Sequence, residues 1–588
     1  MLKRFFISML GTIAGLWITI GILVVVIISI AGAVMASSST PKIKDNSILY
    51  INLGGPISEY YTAGSISDIV NSGGITDNAA LCDILDAIRL AKDDDKIKGI
   101  YIDCDGAEAG YATREEIISA LADFKKCGKW IYAYADSYSQ GDYMIAAQAD
   151  SLFINPFGDI DVRGIGLSIP MYKGLMDKVG VKMNIVKVGT FKSAVEPFIL
   201  TEISEPNRLQ YKAFTDSLWH FTQTTIAKGR NVGAAAVNAW ADSIISTRTA
   251  DEYIASGAAS ALAYRRAVEQ RLRKLTGIAD DDDEGLRLVT PAEYIAQHES
   301  SITKDADHIA VLYAEGDIVD DGDQGIVGRT LAPQIIELAD DEHVKALVMR
   351  VNSGGGSAFA SEQIWEALEY FKSKNKPFYV SMGDYAASGG YYISCGADAI
   401  YADATTLTGS IGVFGMIPDL SELATDKLGL HFSSIKTNDA ADMPAIYSPL
   451  PDNQRRALQR SVDNIYETFV GRVATGRDMP ADSVKAIAEG RVWVGSQAVR
   501  LGLVDKIGTL RECIAAIAGK VGLKDTEVVS YPDVEPDIFV SIAKQLQDAN
   551  AAAYAAGIDS NTLSQINYIR RLLTANHIQA RISPIVVY

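Results

Sequence analysis

The feature that most narrows the fold is repetition: the chain carries one plan twice. SILYINLGGPI from Ser47 matches HIAVLYAEGDI from His308, with Ile48 against Ile309, Gly55 against Gly316 and Ile57 against Ile318. IKGIYIDCD from Ile97 lines up with VKALVMRVN from Val344, and GDYMIAAQADSLF from Gly141 with GGYYISCGADAIY from Gly389. VGVKMNIVKVGTFKSAVEPF from Val179 faces LGLHFSSIKTNDAADMPAIY from Leu428. The offset between copies shrinks after the first pair, so the first copy has an extra loop between Ile57 and Ile97. A repeat this long means two related domains. In each, short Val/Ile/Tyr-rich runs alternate with amphipathic segments such as TREEIISALADFKK and ASEQIWEALEYFKS, the pattern of strands crossed over by helices. The expected class is α/β, a tandem duplication with halves at 47–278 and 305–532.

With 588 residues, 48% of them hydrophobic, the chain can fill more than one core. A formal charge of -19 repels phosphate backbones, so nucleic acid is not an expected partner. Cys82, Cys104, Cys127, Cys395 and Cys513 are odd in number and lack C-x-x-C spacing, which signals neither a disulfide framework nor a zinc site. No charged residue occurs from Phe5 to Thr40, and Ile13 to Val34 is almost wholly apolar. That run can cross a bilayer and is longer than the apolar core of a cleaved secretory signal. Lys3 and Arg4 precede it, so residues 1–40 are expected to be a cytoplasmic stub and a single transmembrane anchor, with the rest on the far side. The acidic block Asp280–Glu284 marks 279–304 as a solvated linker. Residues 533–588 are polar and helical in pattern, an extension that packs on a neighbour or partner.

The copies differ most where one is rich in glycine. VKALVMRV runs into Asn352-Ser353-Gly354-Gly355-Gly356-Ser357, a turn whose amides can face an anion or oxyanion without side chains in the way. Further on, the strand PFYVSM leads to Ser388-Gly389-Gly390 and a helix-like YYISCGAD. A serine there has an exposed hydroxyl near helical amides. Taken alone, a tight and closely packed turn is the better reading of the same residues. The matching position of the first copy holds Gln140, so the turn itself does not require serine. None of the six histidines lies in a glycine-rich turn or beside a catalytic-looking carboxylate, and the G-x-S-x-G elbow is absent around Ser388. Ser433 and Lys436 match S-x-x-K, but HFSSIK reads as a strand, on which residues three apart face opposite ways. Lys192, among small and apolar residues, faces Ala441 of the second copy. Burial can lower a lysine's pKa enough for it to act as a base, and a surface lysine with its stem along apolar neighbours is an equal reading. One copy keeps the lysine and the other the serine, as expected of a site built once across both.

FKSAVEPF, NSGGGSAFASE, DYAASGGYYISCGAD and TLTGSIGVFG, in this order, resemble the signal peptide peptidase A family of serine peptidases in its long, duplicated form. The resemblance covers the anchor and both halves. It implies crotonase- and Clp-protease-like domains and a Ser–Lys dyad with Ser388 as nucleophile and Lys192 as general base. Gly389 and Gly355 would supply the oxyanion amides, the choice of Gly355 over Gly354 or Gly356 staying open, and Ser410 would orient the lysine. The implied substrates are apolar peptides, chiefly released signal peptides. A tetrameric ring or bowl at the cytoplasmic (inner) membrane is implied as well, with its catalytic part periplasmic. No cofactor is implied, and no G-x-x-x-x-G-K-[ST] motif calls for ATP. Two rivals stay open: a crotonase-like acyl-CoA enzyme, which would bind CoA and not need Ser388, and a non-catalytic membrane scaffold, which would have a damaged dyad.

Overall fold

The computed structural model describes residues 43–60, 79–279, 285–298, 304–322, 324–444, 446–532 and 578–581. The expected anchor, the acidic block and most of the 533–588 extension lie outside the described residues. Among those described, no helix is long and apolar enough to cross a membrane.

In the first half β1 (Ser47–Ser58), β2 (Ile97–Glu108), β3 (Trp130–Ala135) and β4 (Ser151–Ile154) lie side by side in that order, all parallel. The helices α1 (Leu81–Ala91), α2 (Tyr111–Phe124) and α3 (Gln140–Ala146) fall between them along the chain. A parallel sheet covered on both faces needs apolar residues almost throughout, which is why IKGIYIDC is buried nearly end to end. The chain then forms β5 (Lys182–Val188), which leaves this sheet, and the long helix α4 (Glu205–Arg230). It returns through β6 (Leu288–Val289), which pairs with β1. The stretch expected as a solvated linker is therefore partly folded. Thr290 and Glu293 form a capping box, and Tyr294 is buried with its hydroxyl on Asp94 at 2.9 Å. A few apolar anchors just past the acidic run are enough to dock it.

The second half repeats this order with β7 (His308–Glu315), β8 (Val344–Ser353), a short β9 (Gly355–Ser357), β10 (Phe378–Ala387) and β11 (Ala399–Ala402). Here α5 (Ala358–Ser373) and α6 (Gly389–Ser394) stand where α2 and α3 stand in the first. After β12 (Leu407–Gly409) and β13 (Val413–Asp419), the helix α7 (Asp452–Gly476) answers α4, and β14 (Val528–Tyr531) pairs with β7 as β6 does with β1. Even a register slip recurs, between Ser47 and Leu49 on β1 and between Val344 and Ala346 on β8.

A third sheet joins the halves. β5 runs antiparallel to β13, from Val188 opposite Val413 to Lys182 opposite Asp419. The other edge of β13 takes β15 (Ile578–Arg581), which also pairs with β9. The only described part of the extension is thus a strand, not a helix. HFSSIK, the counterpart of β5, forms no strand: residues 428–437 are exposed. β5 is a strand because β13 offers it an edge, and the described residues offer HFSSIK none. Lys436 binds Asp442 at 2.6 Å and plays no part with Ser433.

Buried polar contacts also cross between the halves. Arg350 of β8 donates to Glu59 at 2.8 Å and to Glu116 of α2 at 2.7 Å, and none of these side chains is more than 2% exposed. Glu116 also accepts from the Leu510 amide. The amide and hydroxyl of Thr113 donate to Asp384, and Ala404 and Thr405 donate to Glu115. Desolvated charges of this kind are tolerated only when paired, so the contacts fix how the two sheets sit.

Candidate active site

Ser388 stands where β10 ends and α6 begins, with φ 56° and ψ -114°. A non-glycine residue at positive φ is strained. The turn is held by the Ser388 amide donating to the Gly409 carbonyl at 2.7 Å. Gly390 is required beside it, since a Cβ there would lie 2.6 Å from the Ser353 carbonyl oxygen. That contact sets the glycine-rich turn after β8 against the serine turn. The Gly389 amide opens the first turn of α6, where helical amides lack an intrahelical acceptor. α6 has only six residues, so this amide, rather than a helix dipole, is what the turn contributes.

Lys192 reaches Ser388 from the other half. Its Nζ lies 2.7 Å from Ser388 Oγ, 3.1 Å from Ser410 Oγ and 3.2 Å from the Ser410 carbonyl oxygen. Lys192 is 1% exposed and Ser388 0%. Burial holds the Lys192 amine well below the ordinary lysine range. Ser410, at φ 51°, donates its hydroxyl to the Gly490 carbonyl at 3.3 Å, which aims its lone pairs at the amine.

The lysine loop is seated by residues that sequence reasoning missed. Gly490 has φ 75°, and a Cβ there would meet the Lys192 amide nitrogen at 2.7 Å. The Phe191 amide donates to the Glu489 carbonyl at 2.8 Å, and the amide and hydroxyl of Thr190 both donate to the Glu489 carboxylate at 2.9 Å. Buried Gln210 of α4 donates to the Phe191 carbonyl and accepts from the Val492 amide. The Glu-Gly-Arg turn at 489–491 has no counterpart motif near Lys192 in the chain, so only the fold could join them. Its one visible signal was a glycine closing an otherwise helical run.

Gly355, φ 97°, begins β9, and its amide donates to Ser353 Oγ at 3.1 Å. Gly356 packs against β-strand backbone, where a Cβ would lie 1.9 Å from the Ile318 carbonyl oxygen. The structure therefore brings Ser388, Lys192 and Ser410 into one hydrogen-bonded cluster, with Gly389 adjoining Ser388 and the Gly355 turn alongside. An amine kept neutral next to a buried hydroxyl can take its proton, and flanking amides can hold an oxyanion.

The model of peptidase family S49 matches residues 123–278 and 370–524. Protease 4 of Haemophilus influenzae is 36% identical over 74% of this chain and 71% of its own length. Protease 4 of Salmonella typhi is 35% identical over 78% and 75%, and the chloroplastic serine protease SPPA of Arabidopsis thaliana 27% over 86% and 74%. Among solved structures, a ClpP1 mutant from Listeria monocytogenes matches 34% of this chain and 92% of its own, at 12% identity and a TM-score of 0.24. Fold and relatives together define a serine-type peptidase made of two copies of one α/β domain. The chain belongs to peptidase family S49.

Proposed function

We propose that the halves share one endopeptidase site in which Ser388 is the nucleophile and Lys192 the general base. The observation that carries this is the 2.7 Å separation of Lys192 Nζ and Ser388 Oγ, both buried and each from a different half. Lys192, neutral through burial, takes the serine proton as Oγ attacks the peptide carbonyl. The amides of Gly389 and Gly355 hold the oxyanion, the latter exchanging its bond to Ser353 for it. Lys192 then protonates the leaving amine, and water, activated by the same amine, hydrolyses the acyl-enzyme. Ser410 orients Lys192. Crotonase- and Clp-type domains are supported by the parallel sheets with a glycine-rich turn after the second half's central strand.

The substrates are extended apolar peptides, chiefly released signal peptides, cut by an enzyme that residues 1–40 anchor in the cytoplasmic membrane with its site on the far side. No ATP is used, since the serine and the amine suffice for hydrolysis. The chain works as a homo-oligomer, a tetramer. In support, HFSSIK is exposed, with Phe432 51% and Ile435 102% accessible, while its counterpart β5 pairs with the other half. Gly164–Pro170, the counterpart of β13, likewise forms no strand among the described residues. A second copy can offer each the edge it lacks.

The test is labelling of detergent-solubilised protein with a fluorophosphonate, followed by peptide mapping, in wild type, Ser388→Ala and Lys192→Ala. Label on Ser388 that both substitutions abolish is expected. Label that persists without Lys192 would refute the dyad.

A further inference from the structure

The groove that leads to the serine is already occupied by the chain itself. β15 lies between β9 and β13 and is antiparallel to both: Gln579 faces Ser357 and Phe414, Ala580 faces Gly356, and Arg581 faces Gly355. Going from Ile578 to Arg581, the partners on β13 run from Gly415 towards Gly412. A Cβ on Gly412 would lie 3.3 Å from Lys192 Cδ. On the other side the partners run from Ser357 to Gly355, the start of the glycine turn. The strand therefore runs amino to carboxyl towards Ser388, in the antiparallel main-chain pairing by which an extended peptide adds to a sheet.

We propose that Ile578–Arg581 is a self-substrate: it fills the peptide groove in cis and is cut by Ser388 at the Arg581–Ile582 bond or the bond beside it. This rests on the dyad reading above. Ser388 Oγ bonds to the scissile carbonyl carbon, the carbon–nitrogen bond breaks, and the proton taken by Lys192 passes to the departing amine. Water then releases the shortened chain and restores the serine. Until that cut, the tethered strand competes with any added peptide at the high effective concentration of an intramolecular ligand.

Three proteins test it: the full chain, Ser388→Ala, and a chain ending at His577, with Ala580→Pro, which removes a strand amide, as a second probe of the same contact. Intact mass is followed over time alongside hydrolysis of a fluorogenic apolar tetrapeptide and fluorophosphonate labelling. The full chain is expected to lose the residues after the cut at a rate independent of protein concentration, and Ser388→Ala to keep them. Ala580→Pro should slow self-cleavage by about tenfold or more while Ser388 still takes the label. The chain ending at His577 should show an apparent KM about threefold or more below that of the uncut enzyme, at equal kcat. A full chain that takes the label and hydrolyses the tetrapeptide yet keeps its mass would overturn the inference and leave the dyad standing. So would self-cleavage proportional to concentration. Absence of label on Ser388 would bring both down.

Discussion

Where the second half has a strained serine turn, the first half has a relaxed glutamine. Gln140 begins α3 after Ser139, an ordinary N-cap at φ -64° whose hydroxyl accepts from the Asp142 amide. The Gln140 side chain accepts from the amides of Arg163 and Gly164 at 3.0 Å each and donates to the Gly164 carbonyl at 3.1 Å. Gly164 and its neighbours correspond to the Ser410–Gly412 stretch that Lys192 contacts. One neutral amide thus closes in the first copy the gap that the second fills with a hydroxyl, an amine and a second hydroxyl. Duplication freed one turn to become plain structure, and the other retained strain and a desolvated lysine. Function therefore sits in the asymmetry, and the sharpest experiments are those that test it.

The largest effect should come from Lys192→Ala. It leaves Ser388 without a base, and peptide hydrolysis should fall by about 10³-fold or more. Measured kcat within tenfold of wild type would mean the asymmetry has another purpose.

Next is the pair of aligned strand positions Asp103 and Arg350. Asp103 is held inside its own half, by Arg265 and by Tyr50 at 2.8 Å, whereas Arg350 reaches across to Glu59 and Glu116. Arg350→Ala leaves two buried carboxylates without a partner and should cost roughly 3–5 kcal/mol, read by urea unfolding. Burial, partly offset by Arg350, pushes Glu59 up to about 7. Glu59→Gln should therefore be milder at neutral pH than Glu116→Gln, and equal losses would show that the two carboxylates carry like charge.

Gly490→Ala comes third. It combines a positive φ with a contact on the Lys192 backbone that cannot yield without moving the amine. A stability loss of about 1–3 kcal/mol is expected. The hydrolysis rate should fall by more than that loss explains, because Lys192 is displaced from Ser388. Unchanged kcat would show that the lysine loop can shift without harm.

Much of this was legible in the residues. The duplication, the strand and helix order and the complementary loss of serine and lysine follow from patterns that each copy repeats. The linker's docking through Tyr294 was hidden, because a run of charge dominates a window in which only three or four apolar residues matter. HFSSIK has strand-like residues but no partner edge, and pairing, unlike periodicity, is not local. Gly490, Glu489 and Gln210 were hidden for the same reason: their roles exist only once the lysine loop of one half lies on the other. The order of the third sheet, with β15 between β9 and β13, has no local signal at all.

A smaller effect comes from the lysine's burial. Its folded pKa is depressed while the unfolded chain keeps the ordinary value. Between those two values the unfolded state binds the extra proton, so wild-type stability rises with pH through that window and levels off above about 10.4. Lys192→Met removes the titrating group. It should raise the melting temperature at neutral pH, and the advantage should shrink as pH approaches the unfolded value. The acid limb of wild-type kcat/KM should fall as the folded-state amine takes its proton. A Lys192→Met advantage that does not change with pH would mean the amine is already charged in the fold.

The smallest effect is expected where the first half appears most ready to become a second site. Gln140→Ser restores the residue type of Ser388, yet the position lacks the positive φ, and the counterpart of Lys192 is Ala441 in an exposed stretch. The new hydroxyl would face the Arg163 and Gly164 amides without a base. Losing part of the glutamine's three hydrogen bonds should cost about 1–2 kcal/mol, and hydrolysis at Ser388 should stay within about twofold of wild type. Fluorophosphonate should map to Ser388 alone. Label at position 140 would show that the turn's sequence, without a strained backbone or a buried amine, is enough to activate a serine, and the two halves would then differ by substitution rather than by geometry.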